Sequence, residues 1–313
     1  MIDNIINVIK NSQHVLLAAH ENPDGDAMGS LVGMANICKF FNVAYTVLLE
    51  RIPDEYTFLL NDICVSQAFS GNYDTFISLD CGDVERLGNL KFYFEKAEST
   101  INIDHHETNN HFGKYNYVQK DASSTSELIF NIVDQAAILL TQNMCEALFT
   151  GIVTDTGGFM HSCTQSSTHA AAAKLLQIPF DFSTIYYRLI HQKTENTVHL
   201  QSIAARRLTK LCSGKVFLSY IDDADLEAHH ASRDEASGIV SYIKNIKGCE
   251  VAVFIYPSNT PGAYKMSLRS NAPHDVAKLA SSFGGGGHVR AAGATIWGTL
   301  SEVIHKVEQS LNF

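Results

Sequence analysis

Long apolar runs, paired cysteines and an excess of basic residues are all missing from this sequence of 313 residues. No apolar run approaches the roughly 18 residues that a membrane-spanning helix needs, and the amino-terminal segment lacks the basic and apolar regions of a signal peptide. The seven cysteines are an odd number with no C-x-x-C pair, which argues against a disulfide framework or a cysteine-rich zinc site. We therefore expect a protein of the reducing cytoplasm that makes no membrane contact.

The charge balance of the chain is acidic. Asp and Glu number 33 against 23 for Lys and Arg, so the formal net charge is −10. Extended binding of nucleic acid rests on many Lys and Arg contacts with phosphates, and an acidic surface opposes it. We therefore expect no long duplex as a partner. The surplus carboxylates fit either solubility or metal binding, and composition leaves both open.

The length and the order of apolar segments predict two α/β domains. About 150 residues per domain gives two for this chain. Apolar runs of strand length do not alternate with polar residues and are separated by helical segments, which is typical of a parallel sheet covered on both faces. The runs lie at 14–19, 44–49, 75–79 and 99–103. We predict an amino-terminal, mostly parallel sheet flanked by helices over 1–190, a helical linker over 191–212 and a smaller carboxy-terminal α/β domain over 213–313, with the active site in the cleft between them.

Helical patterns fill the middle of the chain and return in its second half. Ser124 and Glu127 have the S-x-x-E spacing of a capping box for a helix over 125–138, and Thr299 and Glu302 have the same spacing before the last helix. The other predicted helices are 3–11, 27–40, 143–153, 166–176, 181–191, 195–212, 233–246 and 275–282. The predicted strands of the second half are 215–221, 249–256, 264–270 and 291–297, with a glycine-rich turn at 284–287.

Acidic and imidazole side chains recur where the predicted strands and helices end. Taken singly, each also fits a solvated turn or a structural strand end. Open α/β sheets place ligands at the carboxyl ends of their strands, so together the side chains indicate one crevice. The residues are His20, Asp24 and Asp26 after the first strand, Asp80 after the third, Asp104, His105 and His106 after the fourth, and Asp155 where a helix gives way to a loop.

This set of side chains predicts metal binding. It provides enough ligands for two divalent ions that share one bridging carboxylate. Oxygen-rich ligands with imidazole and no thiolate suit Mn²⁺ more than structural Zn²⁺, with Mg²⁺ or Co²⁺ as substitutes. Two such ions can activate a water and neutralise the charge that develops in a phosphoryl displacement. The EF-hand spacing, the G-x-S-x-G elbow and the P-loop lysine signature are all absent from the sequence.

A run of glycines, Gly284–Gly287, is followed by His288. Glycines let backbone N–H groups approach an anion closely, and a neighbouring histidine can donate to a phosphate. A flexible loop explains the same run, and the residues alone leave both interpretations open.

The four acidic segments, taken in order, resemble the motifs of the DHH phosphoesterases. HENPDGDAMGS, the aspartate of ISLDCGD, NIDHHETN and GIVTDTGGF look like the four successive motifs of that family. MSLRSNAPHDVAKLASSFGGGGHVRAAG looks like the DHH-associated domain that follows in one subfamily. The basic Ser-Arg-Lys-Lys signature of the family II pyrophosphatases is absent. The resemblance spans nearly the whole chain and points to the bifunctional oligoribonucleases (nanoRNases) that are also pAp phosphatases.

The resemblance implies a role for each motif residue. His106 would face the scissile phosphate, and Asp104 would orient an imidazole. Asp80 would bridge two metal ions, one held by His20, Asp24 and Asp80, the other by Asp26, Asp80, His105 and Asp155. The implied substrate-binding residues are Arg269, Gly285, Gly286, Gly287 and His288, with a smaller part for Arg290. Ser123 to Ser126 could line the site, although helix capping explains them sufficiently.

The resemblance also implies a reaction. Attack by a metal-bridging hydroxide would convert short oligoribonucleotides to 5′-mononucleotides, and 3′-phosphoadenosine 5′-phosphate (pAp) to AMP. Hydrolysis of cyclic dinucleotides, or of the linear dinucleotides pApA and pGpG, is the alternative that the motifs leave open. A RecJ-like single-strand exonuclease fits the acidic chain less well. A non-catalytic nucleotide-binding protein would be expected to have lost ligands, yet every matched position is filled. Members of the family also suggest a homodimer.

Overall fold

The computed structural model describes residues 1–271 and 274–311. The chain divides into two compact units, Met1–Gln192 and Lys193–Phe313, which we call unit 1 and unit 2. The division into domains over 1–190 and 213–313 with a linker over 191–212 stays a prediction. The helix predicted within that linker packs against strands of unit 2 through Leu200 and Ile203.

Unit 1 is built on a six-stranded sheet in which every pair of neighbouring strands is parallel. The strand order is β3-β2-β1-β4-β5-β6. The strands are β1 His14–Ala18, β2 Ala44–Leu48, β3 Val65–Ser66, β4 Thr75–Leu79, β5 Ser99–Asp104 and β6 Tyr115–Val118. The predicted parallel amino-terminal sheet is therefore confirmed, although β3 and β6 were not predicted from the sequence.

Both faces of this sheet are buried, which explains why its strands are continuously apolar. Successive residues of β1 enter different clusters, with Leu16 packing beside Phe76 on one face and Leu17 beside Ile77 on the other. All five residues of β4 are buried. A strand with two covered faces needs no polar alternation.

The order of the strands reverses between β1 and β4. The chain passes from β1 to β2 and β3 on one side, then returns to β4 beside β1 and continues outward. Crevices form at such a switch point, beyond the carboxyl ends of the strands. His20 follows β1 and Asp80 follows β4, so the topology brings them to the same edge of the sheet.

Helices cover the sheet of unit 1, as predicted. They are α1 Ile2–Asn11, α2 Gly25–Phe40, α3 Lys91–Lys96, α4 Thr125–Gln135, α5 Gln142–Asp155, α6 Ser166–Leu175 and α7 Phe182–Tyr186. Short 3-10 segments cover Asp54–Leu60 and Val84–Leu90, and a π turn covers Tyr187–His191. The helix predicted over 181–191 therefore changes to π geometry halfway.

The capping box predicted at Ser124 and Glu127 is half wrong. The Ser124 hydroxyl accepts a hydrogen bond from the Glu127 backbone N–H (3.1 Å), as predicted. The Glu127 carboxylate instead accepts from the Ser123 backbone N–H (3.1 Å), the Ser123 hydroxyl (2.5 Å) and the Thr168 hydroxyl (2.9 Å). A buried carboxylate is stable only where donors surround it, and three are available here. The box of Thr299 and Glu302 is confirmed.

Two glycines allow close packing between α2 and α5 in unit 1. Gly29 of α2 faces the Ala147 carbonyl of α5, and a Cβ at Gly29 would lie 2.5 Å from that oxygen. A Cβ at Gly151 of α5 would overlap the Ser126 side chain and lie 2.8 Å from Asp26 Oδ1. These glycines therefore allow α2 and α5 to approach, and they hold the start of α2 in place.

Gly151→Ala is expected to lower the free energy of unfolding by about 1–3 kcal/mol, because overpacking a tight contact forces the backbone apart. Chemical denaturation would measure this change. The matched control is Gly238→Ala, where a Cβ has nothing within 4 Å and stability should stay within about 0.5 kcal/mol. Equal stability of the two variants would contradict this account of the packing.

Unit 2 contains a second, mixed six-stranded sheet with the order β11-β12-β10-β9-β8-β7. β8 and β9 are parallel, and the other neighbouring pairs are antiparallel. The strands are β7 Thr209–Leu211, β8 Val216–Tyr220, β9 Val251–Pro257, β10 Ala263–Ser270, β11 Gly286–His288 and β12 Ala291–Trp297. The predicted α/β character of the carboxy-terminal half is confirmed.

Helices lie on both faces of this second sheet. Those of unit 2 are α8 Glu195–Arg206, α9 Asp223–Ala228, α10 Arg233–Ser237, α11 Ile239–Lys244, α12 Val276–Ser282 and α13 Leu300–Ser310. Helices α8, α10 and α11 pack on the face that carries Phe217 and Phe254. Helices α12 and α13 pack on the opposite face, against Val253 and Leu268.

Three sequence predictions for unit 2 were wrong in detail. The helix predicted over 195–212 ends at Arg206, because Thr209–Leu211 instead pair with β8. The helix predicted over 233–246 is two short helices that meet at Gly238. The turn predicted over 284–287 partly forms a strand, since Gly286–His288 pair with β12.

Within the described ranges 1–271 and 274–311, the structure contains no helix with the length and apolar character needed to cross a bilayer.

Candidate metal centre

His20 and Asp24 are fixed at the start of α2. Asp24 is the N-cap of this helix, and its Oδ1 accepts hydrogen bonds from the backbone N–H groups of Asp26 (3.0 Å) and Ala27 (3.1 Å). His20 is buried, and its Nε2 lies 4.0 Å from Asp24 Oδ1 and 3.5 Å from Asp80 Oδ2. The cap therefore turns the exposed Asp24 carboxylate toward the buried imidazole.

Asp80 lies at the centre of the cluster. It is buried and has a φ of 57°, a left-handed conformation that side-chain-bearing residues rarely adopt. Its Oδ1 accepts a hydrogen bond from the Thr125 hydroxyl (3.1 Å) and lies 3.7 Å from His105 Nε2. Burial alone would raise the pKa of Asp80, but a hydrogen bond from His20 and the charges of His105 and His106 outweigh it and lower the pKa. Asp80 therefore stays ionised.

Asp26 receives its hydrogen bonds from the first turn of α4. Its Oδ2 accepts from the Thr125 backbone N–H (2.6 Å), and its Oδ1 accepts from the Ser126 backbone N–H (2.8 Å). Free N–H groups at a helix start favour an anion. Even so, burial and then the charges of Asp80 and Asp155 raise the pKa of Asp26 well above its usual range. The peptide groups alone do not compensate this carboxylate, whereas a cation would.

His105 faces the carboxylates with one ring nitrogen. Its Nδ1 lies 3.4 Å from the Ala122 carbonyl oxygen, and its Nε2 lies 3.3 Å from Asp155 Oδ2. A proton on Nδ1 leaves the Nε2 lone pair directed at the cluster, as a metal ligand requires. Burial lowers the pKa of His105, but the charges of Asp26, Asp155 and Asp80 raise it by more.

Asp155 is the last residue of α5. Burial raises the pKa of its carboxyl to about 6, and the charges of Asp80 and Asp24 add to this effect. Near neutral pH this carboxyl group therefore tends to bind a proton unless a cation lies beside it.

His106 is tied to a fully buried carboxylate. Its Nδ1 lies 2.7 Å from Asp104 Oδ1, and this hydrogen bond is the main reason why the pKa of His106 is raised. Asp104 Oδ2 accepts a second hydrogen bond from Asn109 Nδ2 (2.6 Å), which also lies 2.8 Å from Asn102 Oδ1. The carboxylate is thus held on both sides and fixes the orientation of the His106 ring.

The ligand atoms of these side chains form three overlapping groups, within each of which they lie at most 4.8 Å apart. Asp80 and His105 each belong to two groups. The groups are His20, Asp24 and Asp80; Asp26, His105 and Asp155; and Asp80, His105 and His106. Carboxylate oxygens with imidazole nitrogens and no thiolate fit hard or borderline divalent ions such as Mn²⁺. The donor chemistry therefore fits the metal predicted from the sequence.

Two family models match the chain, one in each unit. Residues 14–152 match the DHH family, N-terminal domain, and residues 213–312 match the DHHA1 domain. The chain therefore contains a DHH domain and a DHHA1 domain. The sequence-based assignment to a phosphoesterase of this family with a DHHA1 domain is thereby confirmed.

Related proteins align with this chain along most of its length and most of their own. The bifunctional oligoribonuclease and PAP phosphatase NrnA of Bacillus subtilis is 27% identical over 97% of this chain and 96% of its own length. The protein of the same name from Thermus thermophilus is 27% identical over 91% of this chain and 84% of its own. A crystal structure of an exopolyphosphatase-related protein from Bacteroides fragilis is 23% identical, with a TM-score of 0.90 over 99% of this chain and 94% of that one. The last similarity shows the fold alone.

Two of the predicted substrate-binding residues of the DHHA1 domain, Arg269 and His288, share one face of the sheet in unit 2. Arg269 of β10 pairs with Ala291 of β12, which pairs in turn with His288 of β11. Paired residues of neighbouring strands point to the same face, so Arg269 and His288 flank Ala291. No carboxylate of residues 1–271 and 274–311 forms an ion pair with Arg269. Burial lowers the pKa of Arg269, which is consistent with a cation that lacks an acidic partner.

The glycines before His288 have different surroundings. A Cβ at Gly287 would lie 2.5 Å from the Ala291 carbonyl oxygen, and a Cβ at Gly285 would overlap the backbone of Gly293. Strand packing therefore accounts for both glycines. A Cβ at Gly286 would meet nothing within 4 Å, so packing does not require that glycine. Arg290 is exposed, with Nη1 3.4 Å from the Asn271 carbonyl oxygen.

Sequence reasoning underrated two residues of α4 and missed one residue of the DHH loop. Thr125 and Ser126 were explained by helix capping, yet their N–H groups hold Asp26 and the Thr125 hydroxyl holds Asp80. The signal was present as a helix start rich in hydroxyl groups, but its target is 99 residues away. Asn109, which holds Asp104, lies within the quoted motif and received no role.

The metal-free protein is expected to be more stable at pH 5.5 than at pH 7.5. The folded pKa of Asp155 exceeds its unfolded value, so the folded state binds more protons and stability rises as the pH falls through about 6. The raised pKa of His105 acts in the same direction, because its charged form is lost as the pH rises. Asp80, whose pKa is lowered, loses stability only at more acidic pH.

Thermal unfolding in chelator would measure this difference, which we expect to be on the order of 1 kcal/mol. Asp155→Asn should reduce the pH dependence, since it removes one of the titrating groups. With added Mn²⁺ the protein should instead be more stable at pH 7.5 than at pH 5.5, because protons compete with the metal for the same ligands. A metal-free protein that is more stable at pH 7.5 would contradict the electrostatic account.

Proposed function

We propose that this protein is a metal-dependent phosphoesterase that hydrolyses short oligoribonucleotides to 5′-mononucleotides and pAp to AMP. The observation that carries the proposal is the convergence of acidic and imidazole side chains at the switch point of the unit 1 sheet, in three overlapping ligand groups. Such a cluster is electrostatically incomplete without cations, as the raised pKa values of Asp26 and Asp155 indicate.

Two metal ions would be held in this cluster. The group of His20, Asp24 and Asp80 would bind one ion. The group of Asp26, His105 and Asp155 would bind the other together with Asp80, whose Oδ1 lies 3.7 Å from His105 Nε2, so that Asp80 is shared. When bound, divalent ions acidify a water molecule at neutral pH and neutralise charge on a phosphate. The chain contributes by fixing the ligands, through the cap at Asp24 and the first turn of α4.

His106 is the residue that we assign to the phosphate. Its Nδ1 is bonded to Asp104, which leaves Nε2 to donate a hydrogen bond to a phosphate oxygen or a proton to the leaving group. Asp104 and Asn109 position the ring and do not touch the substrate in this proposal. This division resembles other sites in which a buried carboxylate orients a histidine.

Short substrates are favoured over long strands. The relatives from Bacillus subtilis and Thermus thermophilus are named as oligoribonucleases and PAP phosphatases and match along most of their length. A net charge of −10 opposes the many phosphate contacts that a long strand makes. In unit 2, Arg269, Gly286 and His288 would bind a phosphate or base of the short substrate.

Two further properties belong to this proposal. All seven cysteines are unpaired, which supports the cytoplasm as the compartment. A homodimer is proposed from the family alone, and light scattering of the purified protein would test it.

A product assay tests the proposed function directly. Purified protein with Mn²⁺ would be given pAp, a linear dinucleotide, a five-residue RNA and a cyclic dinucleotide, and the products would be separated by chromatography. We expect AMP from pAp and mononucleotides from the linear substrates. Faster hydrolysis of the cyclic dinucleotide would favour the alternative function, and no hydrolysis of pAp or dinucleotide would refute the proposal.

A further inference from the structure

Among the described residues of unit 2, the helices on one face of the sheet reach as far as β10 and leave β12 uncovered. Helices α8, α10 and α11 cover β8 and β9 on the face that carries Phe254 and Tyr256. On the same face, β10 and β12 carry residues that remain partly or fully exposed. In register these are Arg269 beside Ala291, Ser267 beside Gly293, Lys265 beside Thr295, and Trp297 beside the buried Ala263. We call this surface the open face.

The open face contains a cavity that fits a small ligand. Its volume is about 500 Å³, within the range of small-molecule sites. The floor of the cavity has little side-chain bulk, because the residue beside Ser267 in the sheet is Gly293, which has no side chain. Lys265 lines the cavity and is exposed, and the described residues that line it include no carboxylate. The cavity is therefore cationic on a chain that is acidic as a whole.

Trp297 lies at one end of the open face. It is the only tryptophan of the chain and is 61% exposed, an uncommon position for so large an apolar side chain. Lys306 Nζ donates a hydrogen bond to the Trp297 carbonyl oxygen (3.0 Å) and interacts with the Glu302 carboxylate, so the cations that the open face offers a ligand are Lys265 and Arg269. Exposed aromatic rings beside cations are typical of surfaces that stack nucleic-acid bases and neutralise phosphates.

The length of the open face matches a short single strand. Trp297 lies six positions after Ala291 on β12, and Ala291 is beside Arg269, so the span is about 20 Å at 3.3 Å per residue. Stacked nucleotides rise about 3.4 Å each, and an unstacked single strand of RNA rises more per nucleotide. The open face therefore accommodates about three to five nucleotides of an extended single strand.

We propose that the open face binds the nucleotides of an oligoribonucleotide beyond the one held by Arg269 and His288. Lys265 pairs with a phosphate, the cavity at Gly293 receives a base or ribose, and Trp297 stacks on a base further along. This inference rests on the proposed function, which it extends by giving the enzyme a means of distinguishing oligonucleotides from pAp.

Steady-state kinetics on two substrates would test the inference. Trp297→Ala is expected to lower kcat/KM for a five-residue oligoadenylate about tenfold, mainly through KM, since stacking contributes appreciably per base. Its kcat/KM for pAp should change less than twofold, because pAp is too short to reach the ring. Trp297→Phe should restore most of the loss. Lys265→Gln should weaken oligoadenylate binding and make it less dependent on salt.

Tyr242→Ala is the matched control, because Tyr242 is another exposed aromatic residue of unit 2 and should affect neither substrate. Equal losses on pAp and oligoadenylate would indicate a structural defect and overturn the inference. So would unchanged kinetics on oligoadenylate.

Fluorescence provides a test that does not need turnover. Trp297 is the sole tryptophan, so titration of the wild-type protein with oligoadenylate in chelator should quench its emission, whereas pAp should not. An absence of quenching would contradict the inference. A wild-type protein that shows quenching but hydrolyses neither pAp nor dinucleotide would instead refute the proposed function and leave the binding surface supported.

Discussion

Asp80→Asn is expected to lower kcat for pAp and for a dinucleotide by about a thousandfold or more, because it removes the carboxylate that two candidate ligand groups share. Asparagine retains the shape of the side chain and its Oδ1 can still accept from the Thr125 hydroxyl. Asparagine also tolerates the left-handed backbone at this position, where φ is 57°. The variant should therefore fold, and its defect should lie in metal binding.

Initial rates with saturating Mn²⁺, together with thermal unfolding in chelator, would check this expectation. The metal-free variant should lose a little stability at neutral pH and remain folded, since the hydrogen bond from His20 and the charges of His105 and His106 favour the ionised Asp80. Asp54→Asn is the control, because Asp54 is an exposed aspartate outside the ligand groups; this variant should retain full activity. Activity of Asp80→Asn within tenfold of the wild type would reject the shared-ligand assignment.

Asp104→Asn is expected to lower kcat by about a hundredfold or more while Mn²⁺ binding and KM change little. The buried carboxylate of Asp104 fixes the His106 ring and favours its charged form. An amide can do neither reliably, although it can still accept from Asn109. The expected loss is therefore in the chemical step and not in assembly of the metal centre.

A double-mutant cycle separates positioning from a merely structural role. If Asp104 acts through His106, then the double variant Asp104→Asn with His106→Ala should be no slower than His106→Ala alone. Thermal unfolding of each variant would show whether the fold is retained. Additive losses in kcat would indicate that Asp104 acts independently of His106 and would contradict the proposed role.

Features that are local in sequence could be predicted. Asp80 and Asp104 follow short apolar runs, and parallel strands bring such positions to one edge of a sheet, so the cluster was predictable without coordinates. The first four long strands of unit 1 were predictable for the same reason. The edge strand β6 was missed because it is short and because most of its residues, Tyr115–Val118, are half-exposed.

Features that depend on distant contacts could not be predicted. Nothing near Thr125 in the sequence indicates that its N–H group meets Asp26. The reciprocal partner expected for Ser124 was wrong because Ser123 and Thr168 compete for Glu127. Residues Thr209–Leu211 continue a helical pattern in the sequence, but they pair with the distant residues of β8 as an antiparallel strand.

The two units also differ in what their sequences reveal. In unit 1, the acidic motifs themselves indicate chemistry. In unit 2, Lys265 and Trp297 belong to strands that read as ordinary alternating β structure, and only the register places them on one face with Arg269. A binding surface of that kind becomes visible when strand pairing is known.

The most direct test of the central claim is electron paramagnetic resonance of the wild-type protein with two equivalents of Mn²⁺ per chain. Ions that share Asp80 should be exchange-coupled, so we predict that the six-line signal of isolated Mn²⁺ is lost and that a broad coupled spectrum replaces it. A six-line signal of full intensity, from ions that do not interact, would contradict the shared metal centre.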